Sequence, residues 1–263
     1  MRRFAMVVAI FLGLGLHQTF AQFRYQPEKM VAGTVYHYVK TNIDGTAPEN
    51  VSIYMVSPDS VVALKYHAGA EQAGLVGARI DWTSFCVARL SSSQLFYTGE
   101  QKLFATLEYL PKEKSVSVEI VAAKLPPEKA PIPRTPFHIY NFDFISLNLS
   151  FRHWLTPEKS FVIGIADPTF ADGSPVFAYK GEAEIKYVGE ELRGDVTCRK
   201  YAIDGPGLQN RGGMIWVDKK AEHIVDLEIA LPNNPGWQNY KLRLLSVSRM
   251  NQSAWEAFIE DQF

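Results

Sequence analysis

A zinc site would show as His or Cys ligands about three to five residues apart. His37, His67, His138, His153 and His223 have no such neighbour; His37 and His67 either face each other across strands or are simply partly exposed strand histidines. No G-x-S-x-G elbow occurs, and no serine has a base beside it, so a Ser-His-Asp site would have to be assembled from distant residues. Asp167, Asp172 and Gly173 sit in the segment DPTFADG. Calcium loops place ligands at alternate positions, and here Pro168 and Phe170 intervene, which makes the segment a turn. The glycine-rich run 205–213 (GPGLQNRGG) is followed by the strand-like MIWV rather than by the helix a phosphate cradle needs. No catalytic residue, metal ligand or cofactor is assigned. The two cysteines, Cys86 and Cys198, both sit in strand-like stretches. In an oxidising compartment they either pair as a disulfide or pack as two separate buried thiols.

The elements that must position these residues read mainly as strands. Segments 31–40, 51–56, 61–66, 79–90, 95–98, 103–109 and 115–123 are rich in β-branched and aromatic residues and are separated by turn residues. After them, 161–165, 176–188, 192–203, 213–217, 224–230 and 240–247 repeat the pattern, with Gly189-Glu190-Glu191 expected to turn. Between the two series, 125–136 (LPPEKAPIPRTP) is proline-rich and can join neither a helix interior nor a central strand. It is read as an extended connector that crosses from one part of a sheet to another rather than dividing two lobes. About a dozen strands in one sheet must curl to protect their edges.

Two helices are expected. Ser253 and Glu256 fit a capping box, and Trp255, Phe258 and Ile259 then share a face. Segment 143–154 is ambiguous. Ile145, Leu147, Leu149 and Phe151 alternate as in a strand, whereas Phe144, Leu147, Phe151 and Trp154 share a helical face with Asp143 as N-cap. A terminal Phe263 would suit an outer-membrane barrel, but Asp261 falls on the same strand face as Ile259 and Phe263 and would meet lipid.

Composition and the first residues bound the setting. With 27 Lys plus Arg against 28 Asp plus Glu, the chain lacks the basic excess of a nucleic-acid binder. A hydrophobic fraction of 47% excludes a disordered tail. Arg2 and Arg3 precede an apolar run at 4–16 and small residues at Thr19 and Ala21, the layout of a secretory signal peptide cleaved before Gln22. That run falls short of the ~20 residues a membrane helix needs, and no later run reaches it. Residues 22–263 are expected as one β-rich domain, periplasmic or secreted, without a membrane span.

The second half also carries a resemblance. Asp143, Ser146, Leu147 and Arg152, a strand ending near Asp167, Gly181-Glu182, Gly189-Glu190-Glu191-Leu192 and Gly213-Met-Ile-Trp216-Val-Asp218 resemble, over 137–250, a family of uncharacterised secreted bacterial β-proteins known as a domain of unknown function. Its fold is similar to the half-barrel of periplasmic lipoprotein carriers. Phe144 and Asn148 stand where that pattern has a proline and another apolar residue. The resemblance implies a helix over 143–152 inside a curved antiparallel sheet, and it supplies no catalytic residues.

The fold class is therefore mainly β: a curved antiparallel sheet, half-barrel or near-closed barrel, with one packed helix and a C-terminal helix. A poorly filled inner face would make an apolar pocket. Tyr36, Tyr38, Trp82, Phe85 and Trp216 either line it or fill the core, and Arg152 either anchors the helix to a strand carboxylate or gates the cavity. The function read from this is a non-catalytic cell-envelope binding or carrier protein for a lipid or other hydrophobic ligand. The alternatives are a structural or adaptor protein with an envelope partner, and a hydrolase with a dispersed site.

Overall fold

The computed structural model describes residues 22–124, 126–169 and 173–263. The expected signal segment 1–21 lies outside the described residues, as do positions 170–172 of the Asp167–Gly173 turn. Eight strands open the chain: β1 (Thr34–Thr41), β2 (Glu49–Ser57), β3 (Ser60–Tyr66), β4 (Gln72–Asp81), β5 (Cys86–Phe96), β6 (Gln101–Leu110), β7 (Ser115–Ile120) and β8 (Glu128–Pro131). Then come β9 (Phe137–Ile139), helix α1 (Ile145–Ser150), β10 (Phe161–Pro168), β11 (Phe177–Arg193), β12 (Val196–Asp204), β13 (Gly213–Asp218), β14 (Ile224–Ile229), β15 (Tyr240–Arg249) and helix α2 (Gln252–Glu260).

All fifteen described strands form one curved sheet that does not close, in the order β8-β7-β6-β5-β4-β3-β2-β1-β15-β14-β13-β12-β11-β10-β9. Each half is a run of neighbouring strands, and the halves are sewn together by the antiparallel β1–β15 pair, from Thr34↔Arg249 to Thr41↔Lys241. Only β9 and β10 run parallel. The proline-rich stretch itself supplies the edge strand β8 at one end of the sheet, and residues 132–136 lead from it to β9 at the other end. Among the described residues no helix is long and apolar enough to cross a membrane.

The inner face follows the two-residue period of the strands. Tyr36 and Tyr38 of β1, Val61 and Ala63 of β3, Val76, Ala78 and Ile80 of β4, and Tyr201 and Ile203 of β12 join one core. Inside the curl lies α1, buried on every side, followed by a single 3-10 turn (Phe151–His153) that is also buried. This explains the ambiguous alternation of 143–154. A helix enclosed all round has no polar stripe, so its small polar residues instead bond inward. Ser146 Oγ meets His138 Nδ1 at 2.8 Å, Asn148 Nδ2 donates to Tyr38 Oη at 2.9 Å, and Ser150 Oγ donates to Ser146 O at 2.7 Å.

Three expectations are corrected. Residues 79–98 are the end of β4, a turn over 82–85 and all of β5, because Phe85 adopts a left-handed φ of 54° that ends one strand before Cys86 begins the next. Gly189-Glu190-Glu191 does not turn. It passes through β11 as a register shift between Tyr187 and Gly189, and Gly194 (φ 57°) makes the turn instead. Asn251, not Ser253, caps α2, its Oδ1 accepting from Ala254 N at 2.9 Å. Of the two alternatives left open for the cysteines, the structure has the separate buried thiols: Cys86 and Cys198 are free. Cys86 belongs to the inner core, whereas Cys198 packs with Trp216 and Val225 in a separate cluster on the outer face, so the sheet itself stands between the thiols.

Leu147 is fully buried at the centre of α1. Leu147→Ala is expected to lower stability by about 2–5 kcal/mol, read as a reduced urea midpoint with an unchanged slope. Leu192→Ala, at a side chain 66% exposed, is expected to stay within about 0.5 kcal/mol of the wild type.

Candidate functional site

Asp143 is where the sheet meets the helix. The turn between β9 and α1 places Asp143 and Phe144 consecutively at a φ of 51°, a left-handed conformation that costs L-residues about 1–2 kcal/mol each. The Asp143 side chain therefore does not cap α1, contrary to expectation. Phe144 holds the N-cap position, with no side-chain cap. The carboxylate points instead at Lys65 Nζ (2.6 Å) and Lys40 Nζ (3.8 Å), and accepts from Asn233 Nδ2 at 2.8 Å. Both lysines occupy inward positions of their strands, Lys40 after Tyr36 and Tyr38, and Lys65 after Val61 and Ala63. Lys40 also pairs with Glu49 at 3.1 Å and lies 3.9 Å over the Trp237 ring. Burial alone would raise the Asp143 carboxyl, but the two ammonium groups and Asn233 outweigh it and hold it below the ordinary carboxylate range.

Beside this ion cluster the sheet is open. The two edge strands β8 and β9 do not pair, and the seam between the sheet's ends is bridged by side chains. Phe137 N donates to Cys86 Sγ at 3.2 Å, Val176 N donates to Glu128 Oε2 at 3.1 Å, and Arg134 pairs with Glu182 at 2.5 Å. Lys65 Nζ reaches across to Asn141 O at 2.9 Å. Between these bridges lies a cavity of about 170 Å³, walled by Val76, Leu107 and Val118 from one end of the sheet and Ile139, Phe142 and Phe177 from the other. Lys65, Ser92, Thr106 and Asn141 give it polar lining, and Phe104, 51% exposed, stands at its margin. Asn141 N donates to Asp167 Oδ1 at 2.7 Å. Burial pushes the Asp167 carboxyl up to about 7, with that backbone hydrogen bond opposing it.

The six residues proposed from sequence do not form one site. Tyr36 and Tyr38 touch the enclosed helix and its 3-10 turn: Tyr36 Oη accepts from Arg152 Nη1 at 3.0 Å, and Tyr38 Oη accepts from Asn148 Nδ2 at 2.9 Å and donates to Ile224 O at 2.8 Å. Arg152 has no strand carboxylate to anchor it among the described residues. Trp82 and Phe85 pack elsewhere with His153, at ring distances of 4.7 and 5.9 Å. Trp216 is on the outer face beneath the Arg193 guanidinium, 3.5 Å from its ring centroid. None of the six lines the seam cavity. Lys65, Asn141, Phe142 and Phe177 were missed. For Lys65 a signal existed: a lysine continuing an inward apolar alternation marks a charge aimed at the interior.

Two outcomes follow from this geometry. Asp143→Asn leaves two ammonium groups without their shared carboxylate and is expected to cost about 3–5 kcal/mol in urea unfolding. Adding Lys65→Met is expected to restore part of that loss, because one stranded charge is removed. Asp167 has its folded pKa raised from 3.8 to about 7. Between those values the native state keeps a proton the unfolded state has released, so stability falls as pH rises through the window. Asp167→Asn is expected to raise the melting temperature at pH 8 and leave it nearly unchanged at pH 4, measured by thermal scans.

No family model matches the sequence, and no curated protein matches it. Solved structures with a similar outline exist. One is the β-barrel-like protein of domain of unknown function DUF1849 from Brucella abortus, at 6% identity over 84% of this chain and 100% of that one, with a TM-score of 0.42. A domain from Vibrio parahaemolyticus assigned to outer membrane lipoprotein sorting matches at 8% identity, 86% and 90% coverage, and a TM-score of 0.31. Mycobacterium tuberculosis lipoprotein LppX matches at 11%, 84% and 89%, with a TM-score of 0.24. The chain is thus similar to domain-of-unknown-function and lipoprotein-related β-proteins, at scores that carry no argument about its activity.

Proposed function

We propose that this protein is a non-catalytic cell-envelope binding or carrier protein for an apolar ligand, seated in the seam between the two ends of the sheet. The observation that supports it is the cavity of about 170 Å³ walled by Val76, Leu107, Val118, Ile139, Phe142 and Phe177. An engineered apolar cavity of about 150 Å³ is enough to hold benzene. The seam cavity adds an entrance, since it lies where the sheet is unpaired, and a ligand enters without breaking a strand ladder. An acyl or aromatic end fits the apolar walls, while the rest of a longer molecule runs out past Phe104. The Lys65 amine in the wall is committed to Asp143, which makes it a polar contact for a ligand rather than a nucleophile. The envelope setting is supported by the signal-like residues 1–21 of the sequence.

A second reading, an adaptor that docks an envelope partner, is supported by a separate cleft of about 850 Å³ between α2 and the outer face of β3–β5, lined by Val62, Leu75, Leu95, Tyr97, Trp255 and Ile259.

The test is titration of the purified protein with the neutral probe N-phenyl-1-naphthylamine. One saturable fluorescence transition is expected for the wild type. Val118→Phe, which fills the seam, is expected to weaken it at least tenfold with an unchanged circular dichroism spectrum. Leu75→Ala, in the outer cleft, is expected to leave it unchanged. Absence of saturable binding, or a loss with Leu75→Ala but not with Val118→Phe, contradicts the seam as the seat.

A further inference from the structure

The enclosed helix has a buried charge at each end, and the two are treated differently. At the Asp143 end, two lysines and an asparagine converge on the carboxylate. At the other end Arg152, 3% exposed, has none of this. Its Nη1 donates to Tyr36 Oη at 3.0 Å and touches Met30 Sδ at 4.0 Å. Among the described residues its Nε and Nη2 have no partner, and no carboxylate pairs with it. A guanidinium cannot shed its charge by losing a proton, and an uncompensated buried charge is strongly unfavourable. The neighbours add no negative charge. The His223 ring lies 5.2 Å from that of Tyr36, and burial together with the Arg152 charge holds His223 below its usual pKa.

What is left open has a definite chemistry. Nε and Nη2 form one planar edge of the guanidinium, the fork that meets two oxygens of a carboxylate or phosphate in parallel hydrogen bonds. Tyr36 accepts from Nη1 through its oxygen, so its hydroxyl proton remains to donate. We infer that the free edge of Arg152, with the Tyr36 hydroxyl, is a binding site for one oxyanion, a carboxylate or a phosphate, distinct from the seam cavity and independent of the function proposed for it. The segment 22–30 covers this site. Gln26 Nε2 donates to Arg152 O at 3.3 Å, Gln26 N donates to His153 Nδ1 at 3.2 Å, and Lys29 pairs with Glu222 of the β13–β14 turn at 2.7 Å. The first part of that segment is fixed, by the Phe23–Trp154 bridge, the Arg24 N to His153 O bond at 2.9 Å and the burial of Phe23. Beyond it the partly exposed Lys29–Glu222 pair and the Met30 side chain are what must move to admit an ion, so entry is by displacement of 27–30.

The test is thermal unfolding of the wild type and of Arg152→Met at constant ionic strength, with chloride replaced stepwise by phosphate or by octanoate. A ligand that binds only the native state raises the melting temperature by about 5–10 °C at a hundredfold excess over Kd. A saturable rise of that size is expected in the wild type and none in Arg152→Met. Tyr36→Phe is expected to weaken the affinity about tenfold. Saturation by phosphate identifies a free ion as the occupant, and saturation by octanoate alone identifies the head group of an apolar ligand. The Nε–H resonance of Arg152 in the wild type gives a readout that needs no variant and is expected to move along the same saturation curve. No saturable response to either anion, an equal response in Arg152→Met, or an unmoved Nε–H resonance overturns the inference.

Discussion

The buried carboxylate of Asp143 is the contact on which the rest of the structure hangs. It gathers Lys40 of β1, Lys65 of β3, and Asn233 of the β14–β15 loop onto the turn that leads into α1. That turn stores two successive left-handed residues, which persist only where the surroundings over-determine them. The surroundings here are unusually tight. Asn233 Nδ2 also donates to Tyr140 O at 3.2 Å, and Asn141 Nδ2 donates to Asn233 O at 2.7 Å. A helix of six residues has little stability of its own. It exists because the sheet encloses it and the ion cluster fixes where it starts.

Enclosing the helix has a consequence for ligand space. A curved sheet of this size would otherwise leave its concavity to a ligand. Phe144, Leu147 and Phe151 fill it instead, with Phe151 packed on Tyr201 at 5.6 Å. The space that remains is displaced to the seam, where the sheet's two ends face each other without pairing. Those edge strands are short, and β8 ends in Pro131, which has no N–H to offer a ladder. Side chains from Glu128, Arg134 and Lys65 span the gap. The same feature that keeps the edges from recruiting another strand leaves the seam unpaired beside the cavity.

The strand half of this architecture was legible because each strand carries its own two-residue alternation and each hairpin closes locally. The C-terminal helix was legible in the spacing of Trp255, Phe258 and Ile259. The boundaries failed where a non-glycine residue took a left-handed turn, as at Phe85, and where a glycine inside a strand marked a register shift rather than a turn, as at Gly189. Helix α1 was ambiguous because enclosure removes the polar face that periodicity detects. The site was the least legible part. Its lining comes from strands at opposite ends of the sheet, from Val76 on one side to Phe177 on the other, and only the curl of the whole sheet brings them together. Of the aromatics singled out, Tyr36 and Trp216 are placed inward and outward by strand parity, which also parts Cys198 from Cys86, while Trp82 and Phe85 sit in the turn between β4 and β5.

Mass spectrometry of an organic extract from folded protein, purified from a periplasmic fraction of its own host, distinguishes an occupied seam from an empty one when the wild type is compared with Val118→Phe. An apolar molecule is expected at a stoichiometry near one in the wild type and depleted in the seam-filled variant. A clean extract from folded wild type, or equal recovery from both proteins, would contradict the seam as the seat of a ligand.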